Sequence, residues 1–216
     1  MTCQHCCGAE ALFDKKTAKK DLRRYERKGP NKTTLSILKA ISDEDVKNAT
    51  LLDIGGGIGA IQHELLKRGA KSVTNVDASA SYQSTTRALG MKNGTLDKMS
   101  FFHGDFIDYA SEIEQHDIVT LERVVCCYPD VVELITRTTG KSKNVYALVY
   151  PLDNYLSRFF IKLMHLYFWI KKNPFRTFVH SEAVMHQLIR DQGFKLVRRN
   201  RYYFWRIGIY KRTSKK

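Results

Sequence analysis

From Thr50 onward the apolar residues of this chain follow two alternating rhythms. Short runs suited to strands buried on both faces occupy 50–54, 72–77, 99–103, 116–121 and 144–150. Between them lie stretches with helical spacing, near 58–68, 79–90, 107–114 and 130–138. In the first of these, Ile58, Ile61, Leu65 and Leu66 share one face, and Gly69 supplies a stop. Strand–helix alternation of this kind predicts an α/β domain with a parallel sheet covered by helices on both faces. It also places a ligand outside the carboxyl ends of the strands, where the strand order reverses.

The flanks follow other patterns. Residues 13–28 read as a strongly basic helix with sparse apolar positions at Phe13, Leu22 and Tyr25, ended by Gly29-Pro30. A second helix is expected over 33–41, burying Leu35, Leu38 and Ile41. The chain thus divides into a basic helical segment, 1–48, and a main domain, 49–216. Inside the main domain, Pro151 is followed by an apolar helical insertion, 152–175. Its residues Leu152–Lys172 are apolar around most of the helix, with Arg158, Lys162 and His165 on one stripe. That run is too short and too charged to span a bilayer comfortably. Three readings stay open: an extra core layer or dimer face, a lid over a greasy substrate, or a membrane-surface anchor flanked by Lys171 and Lys172. A helix over 181–192 follows, between a Ser181 cap and a Gly193 stop. Residues 194–200 and 201–210 then alternate like two strands around a basic turn, and a loose basic tail is expected from Lys211.

Composition narrows the class. A chain of 216 residues that is 43% hydrophobic can bury one large core, which excludes global disorder. Its formal charge of +14 favours anionic partners: nucleic acid, a membrane surface or an acidic small molecule. The five cysteines include the neighbours Cys6–Cys7 and Cys126–Cys127, and an odd count of this kind argues against a disulfide framework. The beginning of the chain lacks an apolar signal core, so a cytoplasmic location is the expectation. Cys3, His5, Cys6 and Cys7 crowd together without a distant partner pair, so a mobile terminus is expected there and no metal site.

The chemistry concentrates at Thr50–Ala60, which reads as strand, glycine turn and helix start. Gly55, Gly57 and Gly59 permit a tight turn and a close backbone approach, and Gly55-x-Gly57-x-x-Ala60 also satisfies the dinucleotide fingerprint. Asp53, two residues before the first glycine, would repel a pyrophosphate but suits a ligand bearing an ammonium and a sulfonium. Asp77 ends the second strand, where a carboxylate accepts bonds from ribose hydroxyls. Gly104-Asp105-Phe106 ends the third and offers a carboxylate and a ring to an adenine.

Together, Asp53-Ile54-Gly55-Gly56-Gly57-Ile58-Gly59, Asp77 and Gly104-Asp105-Phe106 resemble the ordered motif series of class I S-adenosylmethionine-dependent methyltransferases, over roughly residues 50–150. The resemblance implies a Rossmann-like, doubly wound, seven-stranded sheet, mostly parallel and closed by a C-terminal antiparallel hairpin. It implies S-adenosylmethionine as cofactor and S-adenosylhomocysteine as product. The cofactor contacts it assigns are Asp53, Gly55, Gly56, Gly57, Gly59, Asp77, Ala78, Gly104, Asp105, Phe106 and Glu122. The N-terminal basic helices become caps over the cleft, with Tyr25 and Lys28 at its wall. The segment after the fourth strand is similar to that of magnesium-protoporphyrin O-methyltransferases, with Cys127-Tyr128-Pro129 where those proteins have His-Tyr-Pro. The missing histidine means that porphyrin chemistry does not carry over, while Tyr128 stays a site candidate.

A hydroxyl or phenol acceptor calls for a base. His103 ranks first by its place at a strand end, with Tyr128, Glu122 and His63 as further candidates. The expected reaction is methyl transfer, O-directed, to a small hydrophobic or amphipathic acceptor. RNA or protein as acceptor, a non-enzymatic module at a membrane surface, and hydride transfer are the alternatives. A homodimer through the apolar insertion is a further expectation.

Overall fold

The computed structural model describes residues 4–213, the side chains of residues 4–7 apart. The N-terminal part contains helices α1 (Gln4–Leu12), α2 (Lys15–Lys28), α3 (Lys32–Leu38) and α4 (Asp43–Val46). The alternating part runs β1 (Thr50–Ile54), α5 (Ala60–Lys67), β2 (Ser72–Asp77), α6 (Ala80–Lys92), β3 (Met99–His103), α7 (Phe106–Tyr109), β4 (His116–Glu122), α8 (Val131–Gly140) and β5 (Ser142–Pro151). It closes with α9 (Tyr155–Ile170), α10 (Glu182–Asp191), β6 (Phe194–Tyr202) and β7 (Trp205–Arg212).

The strands form one sheet in the order β3-β2-β1-β4-β5-β7-β6, with β1 to β5 parallel and β7 antiparallel to both neighbours. The order reverses between β1 and β4, so the carboxyl ends of these two strands flank the expected crevice. Strand pleating sorts the core. Leu51, Val145, Ala147 and Val149 point to the face covered by α3 and α5. Leu52, Ile54, Tyr146, Leu148 and Tyr150 point to the opposite face, against α8 and α10. Continuous apolar strands of this kind are what two-sided burial demands.

Several boundaries move from their expected places. Gln4–Leu12 is a helix in place of the expected mobile terminus. It is held from outside: Gly8 lies so close to the Phe175 backbone that an added Cβ would sit 2.6 Å from its nitrogen. Glu10 also accepts the Ala80 N–H at 3.1 Å. Cys3 and the side chains of His5, Cys6 and Cys7 lie outside the described residues, and among the described residues no cluster of metal-ligating side chains occurs. The helix expected over 107–114 stops at Tyr109, and the chain beyond it turns to put Ala110 and Ile113 into the core. The hairpin turns at Tyr203-Phe204, not near residue 200, with Tyr203 in the left-handed region at φ 51°. The four polar residues Arg198–Arg201 read as a turn, yet all four pair with β7 in the ladder. Lys211 and Arg212, expected in a loose tail, pair with β5 or β6, and residues 214–216 lie outside the described part.

The insertion departs furthest from one of its expected roles. In α9 only Ser157 and Phe168 are buried, so it does not form an extra core layer. Its other large apolar residues, from Tyr155 to Ile170, are mostly exposed. No described helix is long and apolar enough to cross a membrane.

Candidate active site

The glycine turn forms because three residues, Gly55, Gly57 and Gly59, take positive φ of 63°, 56° and 75°. Gly56 is required for another reason. A Cβ there would meet Gln62 Nε2 at 2.3 Å, Asp53 Oδ2 at 2.5 Å and Asn75 Nδ2 at 2.8 Å. The turn feeds directly into α5, whose cap Gly59 offers no side-chain acceptor, so its first N–H groups remain available to an anion.

A cavity of about 590 Å³ opens at this point, within the size range of small-molecule and cofactor sites. Its wall contains Asp53, Gly55, Gly56 and Gly57 from the β1 turn, Asp77 and Ala78 from β2, Gly104, Asp105 and Phe106 from β3, and Glu122 and Tyr128 after β4. Every expected strand-tip acid therefore faces one space. Gly59 lies just behind the wall, between the lining residues Ile58 and Ala60.

Each acid is held by partners that its position in the sequence does not disclose. Asp53 is 1% exposed and accepts from Thr120 Oγ1 at 2.5 Å and from Gln62 Nε2 at 2.9 Å. Thr120 stands opposite it in the β1–β4 register. Burial raises the Asp53 carboxyl to about 7, the two hydrogen bonds pull it down, and nearby Glu122 and Asp77 push it further up. Asp77 receives the backbone N–H groups of Gly57 and Ser79, both at 2.8 Å. It thereby clamps the glycine turn as well as facing the cavity, and burial raises it to about 6. Asp105 caps α7 through the Ile107 N–H at 2.9 Å and accepts the Tyr128 hydroxyl. Burial raises its carboxyl too. Glu122 accepts the hydroxyls of Thr33 and Thr34, fastening α3 above the strand tips.

The base candidates separate by position. His103 does not line the cavity: it is half exposed at the edge strand and pairs with Glu10 at 3.3 Å. Its strand-end position puts it at the correct sheet edge, but β3 is the outermost parallel strand, and the ring points to solvent. His63 is buried behind the turn, with neither ring nitrogen partnered among the described residues, and burial lowers it to about 4. Tyr128 and Glu122 remain at the wall. Cys126 and Cys127 also line it, and Cys127 is pushed well above the ordinary thiol range by its hydrogen bond with Cys126 and by burial, which disfavours a thiolate nucleophile.

The N-terminal helices supply the roof. Tyr25 lines the cavity and donates to Glu64 at 2.5 Å, whereas Lys28 is not part of the wall. Asp21, Arg24, Asn31 and Thr34 line it too. The wall also has apolar side chains, among them Val124, Met164, Phe175 and Trp205, with Val124 packed against Gly55. Arg123 joins them with a left-handed φ of 65°, its guanidinium donating to Thr33 and lying 5.3 Å from the Trp205 ring. Gln62, Thr120, Arg123 and Trp205 escape sequence reasoning because each meets the site through a long-range contact.

Residues 51–139 match a family described as a methyltransferase domain. The matched segment holds the glycine turn and the strand-tip acids Asp53, Asp77 and Asp105. The sheet order and closing hairpin agree with solved structures across nearly the whole chain. Magnesium protoporphyrin IX methyltransferase from Synechocystis PCC 6803, solved with bound S-adenosylhomocysteine, aligns at TM-score 0.74 and 19% identity, covering 97% of this chain and 100% of that one. An O-methyltransferase family protein from Burkholderia thailandensis aligns at TM-score 0.70 and 16% identity, covering 96% and 63%. Among curated proteins, ribosomal protein L11 methyltransferase from Shewanella sp. (strain W3-18-1) is 31% identical over 74 residues, which is 34% of this chain. The chain spans about a quarter of the length of that curated relative.

The site fits a cationic methyl donor on its own geometry. Asp53 and Asp77 are buried carboxyls raised by desolvation, and among the described residues no side-chain cation donates a hydrogen bond to either. Gln62 Oε1 beside Asp53 is buried with no partner among the described residues. A positive group in the cavity would relieve this wall.

Proposed function

We propose that this chain transfers the methyl group of S-adenosylmethionine to a small hydrophobic or amphipathic acceptor, at oxygen. The observation that carries the proposal is one cavity whose wall joins strand-tip carboxylates and a glycine turn to the apolar side chains Val124, Met164, Phe175 and Trp205. The sulfonium donor supplies the reactive carbon. Asp53 holds negative charge near the donor's ammonium and sulfonium, and the start of α5 receives its carboxylate. Asp77 keeps the turn in shape through Gly57 while presenting its remaining lone pairs to ribose hydroxyls. Asp105 and Phe106 border the adenine, and Tyr128 is bonded to Asp105 beside them. The apolar wall excludes water and aligns the acceptor, which is the main contribution a protein makes to such a displacement. Tyr128, passing its proton towards Asp105, and Glu122 are the base candidates that the cavity retains.

Calorimetry tests the cofactor half of this proposal. Binding of S-adenosylhomocysteine with no heat from NAD supports it; the reverse result sinks it. A second reading, an RNA acceptor, draws on α2, which carries eight Lys and Arg residues and reaches the cavity wall through Arg24. Filter binding that falls steeply between roughly 50 and 200 mM salt would favour RNA.

A further inference from the structure

Helix α9 is turned inside out relative to a normal surface helix. Ser157, Ile161, His165 and Phe168 face the protein, His165 accepting the Thr177 N–H at 3.2 Å. The opposite arc carries Leu156, Phe159, Leu163, Leu166, Tyr167 and Ile170, each between 46% and 63% exposed. An apolar arc of this width is larger than a monomer surface ordinarily leaves in water. It does not end with the helix. The Leu152 N–H, three residues before α9, donates to Phe204 O at 2.8 Å and so sets the β6–β7 turn alongside. That turn exposes Tyr202, Tyr203 and Phe204.

Charge decides what covers this surface. Between residues 154 and 181 there are five Lys or Arg residues and no Asp or Glu. Lys162 and Arg158 sit along one flank of the apolar arc, and Lys171 and Lys172 follow its end. Arg158 is already paired with Asp153 at 2.7 Å, so a second copy packed through the same face would bring Lys162, Lys171 and Lys172 against like charges with no free acid in the segment to pair them. A layer of anionic headgroups over hydrocarbon matches both features: aromatic and aliphatic side chains enter it, and the lysines meet the phosphates.

We propose that the outward face of α9, together with the Tyr202–Phe204 turn, docks on an anionic lipid bilayer. Met164 of the same helix lines the active-site cavity, so docking brings that wall of the cavity close to the lipid. Docking is independent of the methyl-transfer reading, because vesicle binding is measured without donor or acceptor.

The test is co-sedimentation of the full chain with phosphatidylcholine vesicles, with and without 30% phosphatidylserine, in 0.1 M salt. The wild type sediments with the phosphatidylserine vesicles, and the emission of exposed Trp169 shifts to the blue. Phe159→Ser with Leu163→Ser weakens partitioning at least tenfold, and W169F loses the shift. K162E/K171E/K172E removes the preference for phosphatidylserine. All these positions are exposed, and a thermal melt reports whether each variant stays folded; the charge variant retains the test if the apolar one unfolds. A wild type left in the supernatant, or variants that bind like the wild type, overturns the proposal. So does a wild-type dimer that the Phe159/Leu163 variant splits, with no vesicle binding by either.

Discussion

Replacing Asp53 with Asn should make the protein more stable and worse at holding its donor. Asp53 is fully buried between Thr120 and Gln62, and burial raises its carboxyl to about 7 from an ordinary 3.8. A folded-state value above the unfolded one means that the favourable contribution is complete below pH 3.8 and is lost as pH rises through 7. At pH 8 the buried charge costs about 4 kcal/mol, at 1.36 kcal/mol per tenfold, and partial relaxation brings the realistic range to roughly 1–4 kcal/mol. Asn is the same shape, takes the Gln62 bond on its oxygen and removes the charge. A gain of roughly 1–4 kcal/mol raises Tm by roughly 2–4 °C per kcal/mol for a chain of this size. At pH 5 the gap should shrink to about 40% of its pH 8 value, roughly 0.4–1.5 kcal/mol, because the wild-type carboxyl is then mostly protonated when folded. Donor affinity moves the other way, falling roughly 10- to 100-fold with loss of the charge facing the sulfonium. Urea unfolding at pH 5 and pH 8, with calorimetry of S-adenosylmethionine at pH 8, measures both. An Asp53→Asn protein that is less stable at pH 8, or that binds the donor as tightly as the wild type, would refute the reasoning.

Three further outcomes follow from the same site. Gly56→Ala drives a methyl into Gln62 and Asp53, so it should cost about 1–3 kcal/mol in urea unfolding and abolish measurable donor binding. His103→Ala should leave donor affinity and turnover within twofold of wild type, because the ring lies outside the cavity; a tenfold loss in either would return it to the site. Cys127, held neutral by Cys126 and burial, should react with iodoacetamide at pH 7.5 much more slowly than a free thiol, and Cys127→Ser should keep donor affinity, as calorimetry checks.

The strands were legible because two-sided burial leaves continuous apolar runs: β1, β2 and β3 lie where those runs do. The acids at their tips were legible because topology brings all parallel strand ends to one edge, whatever the loops do. What the acids bind was not. Thr120 meets Asp53 through strand register, and Thr33 reaches Glu122 across 89 residues of chain. His103 misled because a strand end fixes height along the sheet but not distance from the switch point. The α9 face misled as a core layer because apolar periodicity records what a side chain avoids, and not which surface receives it.

The bonds from Thr33 and Thr34 to Glu122 carry a consequence for handling this molecule. The border drawn near residue 49 divides the chain on paper, yet those two hydroxyls rivet the preceding helices to a tip of the sheet. A shortened protein beginning at β1 would keep its strands and lose the ceiling of its chamber. It would also strip the Glu122 carboxylate of two donors and leave it the Arg123 guanidinium at 3.5 Å, beside three other strand-tip acids. Such a fragment would also lose Ile37, Leu38, Ile41 and Val46 from the core on one face of the sheet, so trimming the basic leader for convenience would remove part of the machine.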